Sequence, residues 1–172
     1  MNLLQELDLR LLAGVFRQGE RRLIRPLAKA LSRSGDGYLH GLIPLLLALL
    51  NVPDHRDFIA LLVLALAMER CLYWPLKNCL KRRRPQDAIP GFHSIISASD
   101  QFSFPSGHSS AAFLLATSLA LIFGAAPAAM YLWACGVALS RVVLGVHFPG
   151  DTLAGALMGC GCALMAASLL GL

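Results

Sequence analysis

Charge is scarce in this chain. Only 15% of its 172 residues are Asp, Glu, Lys or Arg, whereas 56% are hydrophobic, and the mean hydropathy is +0.62. Soluble domains sit nearer half apolar and a quarter charged, and the apolar excess here falls into runs. The composition therefore argues against a soluble enzyme and for an integral membrane protein. Cysteine is present but unpatterned: Cys71, Cys79, Cys135, Cys160 and Cys162 form an odd set without a CxxC pair. That excludes a disulfide framework and a thiolate zinc site. Carboxylates are few, and Asp87, Asp100 and Asp151 are dispersed, so no metal site and no cofactor are expected. No internal repeat is visible. The N-terminus carries acids early and has no continuous apolar stretch before a small-residue cleavage site, so the first spanning helix is expected to direct insertion.

What the chain does have is positive charge, +5 net, placed beside hydrophobic segments. That placement disfavours nucleic acid and favours membrane lipids and phosphate groups as partners. The length fits one domain. Leu3, Leu4, Leu7, Leu11, Leu12, Val15 and Phe16 recur at helical spacing with charges between them. Leu23, Ile24, Leu27 and Leu31 repeat the pattern against Arg22, Arg25, Lys29 and Arg33. Residues 1–37 thus read as amphipathic helices on the membrane surface. Residues 38–172 read as an all-α transmembrane bundle of about five spans. These are a short one over Leu39–Val52 interrupted by Pro44, then Phe58–Leu76, Ser109–Phe123, Ala128–Val146 and Thr152–Leu172. Gly155, Gly159 and Ala163 form a small-residue face suited to close helix packing. Following the chain across the bilayer, the segment before residue 39, the loop 77–105 and the turn 147–151 fall on one side.

Three stretches on that side carry chemistry. In KNCLKRRRP, Lys77 and Arg84 are seven residues apart, which is two helical turns, so they and Lys81 are expected on one helix face, with Pro85 ending the helix. In PSGH, Ser106 can cap the following helix, Gly107 allows close approach of backbone to a ligand, and the helix start favours an anion beside His108. In SRVVLGVHFPGD, Arg141 sits in an apolar helix, where a charge is costly and usually functional. The Pro149–Gly150 turn can bring Asp151 to one nitrogen of His147, leaving the other free to attack. Two histidines, one carboxylate and a set of cations meeting at one membrane face suit phosphoryl transfer. The cations hold the phosphate oxygens, one histidine attacks and the other protonates the leaving oxygen.

The order K-x6-RP, PSGH, SR-x5-H-x3-D resembles the type 2 phosphatidic acid phosphatase superfamily over roughly residues 39–172. The resemblance implies a helical-bundle fold, a phosphohistidine intermediate and inhibition by vanadate. It implies His147 as nucleophile, Asp151 as its orienting partner and His108 as general acid, with Lys77, Arg84, Ser106, Gly107 and Arg141 holding phosphate. Bacterial members often have six spans; five are counted here, with amphipathic helices in place of the first, and these N-terminal helices are expected to shape the substrate entrance. The expected activity is metal-independent hydrolysis of a lipid phosphate: phosphatidic acid, phosphatidylglycerol phosphate, a polyprenyl diphosphate or a polyprenyl phosphoribose phosphate. The alternatives are a lipid-to-lipid phosphotransferase and a non-catalytic lipid-binding membrane protein. The resemblance further suggests a multi-pass protein of a bacterial inner membrane. Seven of the 15 Lys and Arg precede residue 38 and five lie in 77–84, which by the positive-inside rule turns the active site to the cytoplasm. Glu69 and Arg70 fall inside the second span, and Arg70 shares a helix face with Lys77. Asp36 and His93 are further possible residues of the mouth.

Overall fold

The computed structural model describes residues 3–19, 21–98 and 100–172, and among these there are helices and no strands. α1 (Leu3–Gln18) and α2 (Ile24–Ser34) form the N-terminal pair. α1 buries Leu12 against Val142 and Phe148, and α2 buries Ala28 and Ser32. Leu7, Leu11, Leu23 and Leu27 stay exposed. The side chains of Leu3 and Leu4, which the spacing assigns to the apolar face, lie outside what is described.

Five apolar helices follow. α3 (Tyr38–Leu49) continues through Pro44 and is about 18 Å long, shorter than a bilayer core. α4 (His55–Leu80) is about 39 Å long and begins three residues before and ends four after the span expected for it. After a short α5 (Pro85–Ala88) and a loop come α6 (Gly107–Phe123), α7 (Ala129–Val143) and α8 (Pro149–Leu170). By length and composition, α4, α7 with the 3-10 turn before it, and α8 are long and apolar enough to cross a membrane; α3 and α6 are shorter apolar helices.

The centre of the bundle is set by helical periodicity. Phe58, Leu61, Leu62 and Ala65 on α4 meet Leu114, Leu115 and Leu119 on α6 and Cys162, Ala163, Ala166 and Ala167 on α8. Large leucines such as Leu132, Leu139, Leu153 and Leu157 point outward and remain exposed, as a lipid-facing surface requires. α6 and α8 approach most closely where glycine removes the side chain. A Cβ on Gly155 would collide with the Ser106 carbonyl oxygen, and one on Gly159 with that of Ser110. This contact fixes the start of α6, with its PSGH sequence, against the start of α8, with Asp151. The five cysteines form no disulfide; three are exposed on the outer surface.

One expectation is corrected. α4 ends at Leu80, and Lys81 adopts a left-handed conformation with φ 45°. Arg84 therefore does not share a helix face with Lys77. Residues 81–84 leave the helix, and Arg82 and Arg84 turn inward while Lys81 and Arg83 face solvent. Pro85 does not stop α4 but opens α5, where a missing N–H costs nothing.

Candidate active site

A cavity of about 880 Å³ opens between the α2–α3 turn, α4, α6 and the α7–α8 loop. Of the residues expected to act, Arg84, Gly107, His108, Arg141 and His147 line it. Lys77, Ser106 and Asp151 stand directly behind them.

His147 sits in the α7–α8 loop and is 2% exposed. Its Nδ1 is 3.6 Å from Asp151 Oδ2, and its Nε2 is 3.3 Å from Arg84 Nη1. Burial pushes its pKa down to about 4, against the pull of Asp151, so the imidazole is neutral near pH 7. Asp151 is itself fully buried and held on every side. Oδ2 accepts from the Phe148 N–H at 2.8 Å, and Oδ1 accepts from Arg82 Nη1 at 2.7 Å. Arg82 lies 4.3 Å from the centre of the Phe148 ring and donates its other arm to Asp8 Oδ2 on α1 at 2.6 Å. Asp8 in turn accepts from the Gly150 N–H at 2.8 Å, and its carboxylate fills the space a side chain at 150 would need. The loop bearing His147 is thus held from below by α1.

The cations gather beside His147 and around the cavity. Arg84 is 3% exposed, donates to the Val146 carbonyl at 2.5 Å and to that of Asp100 at 2.9 Å, and pairs through Nη2 with the Asp100 carboxylate. Lys77 reaches the same carboxylate at 2.5 Å and the Tyr73 hydroxyl at 2.5 Å. Burial alone would raise the Asp100 pKa, but Lys77 and Arg84 hold it down at about 2. Arg141, 5% exposed, donates to Ser32 Oγ of α2 at 2.5 Å and leaves its Nε without a partner among the described residues. His108 shares a hydrogen bond with Asp36 in the α2–α3 turn, Nε2 to Oδ1 at 2.8 Å. Ser106 caps α6, accepting from the Ser109 N–H, and its own N–H donates to the Asp151 carbonyl at 3.0 Å. A side chain on Gly107 would press on the Tyr73 ring at 3.2 Å.

Sequence reasoning missed several of these groups. The sequence names Asp100 only as a dispersed carboxylate, yet it bridges Lys77 and Arg84. Asp87 does lie apart, in a depression with His93 on the outer surface. Asp8, Ser32 and Tyr73 carried no motif, and Arg82 lay in KNCLKRRRP without an assigned role; Asp36 was noted only as a further residue of the mouth. For Arg82 a signal existed: in an extended run before Pro85, alternate arginines share a side. Among the described residues no group of three or more His, Cys, Asp or Glu is placed to hold a metal.

The fold and site define an integral membrane protein whose helical bundle gathers two histidines and several cations around one cavity. The chain belongs to the PAP2 superfamily, whose model matches residues 58–171, and it is a phosphoric monoester hydrolase. It is 30% identical to the decaprenylphosphoryl-5-phosphoribose phosphatase of Mycobacterium tuberculosis over 77% of this chain and 72% of that protein. It is also 30% identical to a probable lipid phosphate phosphatase beta of Arabidopsis thaliana over 67% of each. The crystal structure of Aquifex aeolicus LpxE superposes with a TM-score of 0.77 at 28% identity, over 94% of this chain and 95% of that one. The Bacillus subtilis transmembrane PAP2-type phosphatidylglycerolphosphate phosphatase shares the fold, with a TM-score of 0.76 at 23% identity over 99% and 88%.

Proposed function

We propose that the chain hydrolyses a lipid phosphate without a metal, through a phosphohistidine on His147. The observation that carries this reading is the state of His147: buried, neutral, with a carboxylate behind Nδ1 and Nε2 turned to the cavity beside Arg84. Nε2 attacks phosphorus as the bond to the lipid oxygen breaks. His108, as imidazolium, keeps Nε2–H on Asp36 and gives its Nδ1 proton to the leaving oxygen. Asp151 stabilises the charge that builds on His147. Neutral His108 then takes a proton from water as that water attacks the phosphoenzyme, and inorganic phosphate leaves. Arg84, Arg141 and Lys77, with the N–H groups at the start of α6, neutralise the phosphoryl oxygens. The phosphate takes over the cations that Asp100 occupies at rest.

A cavity beside lipid-facing helices supports a lipid phosphate as substrate. The named activities of the relatives support the same class, from lipid phosphates to a polyprenyl phosphoribose phosphate. The N-terminal helices lie on the membrane surface in this reading, and the seven basic residues before residue 38 favour a cytoplasmic site in a bacterial inner membrane. The test is phosphate release by purified protein under excess chelator, from phosphatidic acid, phosphatidylglycerol phosphate, a polyprenyl diphosphate and a polyprenyl phosphoribose phosphate, with His147→Ala alongside. Release that survives chelator and vanishes in the variant is the expected result. Release that depends on added lipid acceptor would favour a phosphotransferase. For orientation, a single thiol placed in residues 86–98 of a cysteine-free chain should resist an impermeant reagent in intact cells; ready labelling reverses the assignment.

A further inference from the structure

One cation in the cavity has no part in the mechanism above. Arg70 lies two turns before Lys77 on α4, about 10 Å along the helix axis, and lines the cavity with His108, Arg141 and His147. Its guanidinium carbon is 4.4 Å from the centre of the Tyr73 ring, and Lys77 Nζ is 4.6 Å from the same point. The two cations are therefore separated by no more than the sum of those distances. Behind Arg70, Glu69 is fully buried and accepts from Nε at 2.5 Å and from Nη2 at 2.8 Å. The Arg70 side chain, by contrast, is 46% exposed.

That asymmetry decides between two roles. Charges at this depth are costly, and a pair kept only for packing is matched or bettered by apolar residues. Such a pair would also bury both members. Here the carboxylate lies behind and fixes the plane of the guanidinium, while Nη1 has no protein acceptor among the described residues. A guanidinium held in this way is a preorganised donor for anionic oxygen. It stands two turns nearer the middle of the apolar helix α4 than Lys77, on the side where this reading places the lipid part of the substrate.

We propose that Arg70 binds an anionic oxygen of the leaving group, so that the cavity selects lipids carrying a second phosphate beyond the one removed. The proposal rests on the phosphatase reading above. The second phosphate has two possible sources: the inner phosphate of a polyprenyl diphosphate, or a phosphodiester one sugar ring away. The test compares kcat/KM of wild type, Arg70→Gln, Arg70→Lys and the double variant Glu69→Gln/Arg70→Gln on three lipids. These are phosphatidic acid, a polyprenyl diphosphate and a polyprenyl phosphoribose phosphate. The double variant leaves no unpaired buried charge, and activity on phosphatidic acid reports folding.

The expected result is a loss of about ten-fold or more on at least one two-phosphate lipid in both Gln variants, partial retention in Arg70→Lys, and less than about two-fold change on phosphatidic acid. The lipid that suffers names the source. Equal loss on all three lipids, no loss on any, or loss in Arg70→Gln that the double variant restores would each overturn the proposal. So would wild type that turns over phosphatidic acid alone. Wild type inactive on every lipid would instead sink the phosphatase reading itself.

Discussion

The two ends of the chain contribute to the site in opposite ways. Residues 58–171, the stretch the family model matches, supply the groups assigned to chemistry: Lys77, Arg84, His108, Arg141, His147 and Asp151. The N-terminal segment before α3 lies outside that match and supplies one partner to each of three of the cavity's walls. Asp8 holds Arg82, which holds Asp151; Ser32 receives Arg141; Asp36 receives His108. The core brings reactive groups together, and the N-terminal helices fix the direction in which those groups point. A helix pair outside the family match can therefore matter to catalysis without touching a substrate.

The contrast is broken most directly at its strongest point. His147→Ala should lower kcat by at least ~10³-fold in steady-state phosphate release, whereas no single N-terminal substitution should approach that; near-normal turnover in His147→Ala would dismantle the mechanism. Ser32→Ala leaves a buried guanidinium arm without its acceptor, and a rise in KM of about ten-fold is expected. Asp8→Asn should cost several-fold in kcat, about 1 kcal/mol of barrier, with partial recovery in Asp8→Glu. If both leave kinetics untouched, α1 and α2 are scaffolding and the comparison fails. Asp100→Asn removes an anion that competes with the substrate phosphate. Its KM, and the inhibition constant for inorganic phosphate, should fall by about two- to five-fold.

The smallest expected effect is on stability. His147 is neutral in the fold down to about pH 4 but titrates near 6.5 when unfolded. Between those values the unfolded chain binds the extra proton, so stability is full above pH 6.5 and is lost as pH falls toward 4. The thermal midpoint in detergent should fall across that window, less steeply in His147→Gln than in wild type.

The bundle and the motif residues that meet at the cavity were legible because both are encoded locally. Hydrophobic runs mark helices wherever they pack, and PSGH or SR-x5-H-x3-D keeps its groups within one loop or one helix start. The supporting contacts were not, because they join positions far apart in sequence. Asp8 with Arg82, Ser32 with Arg141 and Asp36 with His108 depend on how α1 and α2 dock, which no spacing rule describes. The face shared by Lys77 and Arg84 was misread for a local reason. Lys and Arg are good helix formers, and the run before Pro85 reads as helix until the left-handed Lys81 ends it. Glu69 and Arg70 were visible as charges out of place, but only the buried carboxylate behind the exposed guanidinium gives the pair a direction.

The glycine contact between α6 and α8 has a consequence for life in a bilayer. With Gly155 against Ser106 and Gly159 against Ser110, the two helices meet backbone to backbone, with no side-chain layer to compress. His108 rides on one helix and Asp151 on the other, with His147 in the loop just before α8, its Nδ1 3.6 Å from Asp151. The gap between His108 and Asp151 is thus set by peptide geometry. A membrane that thins or thickens can tilt the pair as a unit but has no soft joint through which to pull His108 and Asp151 apart.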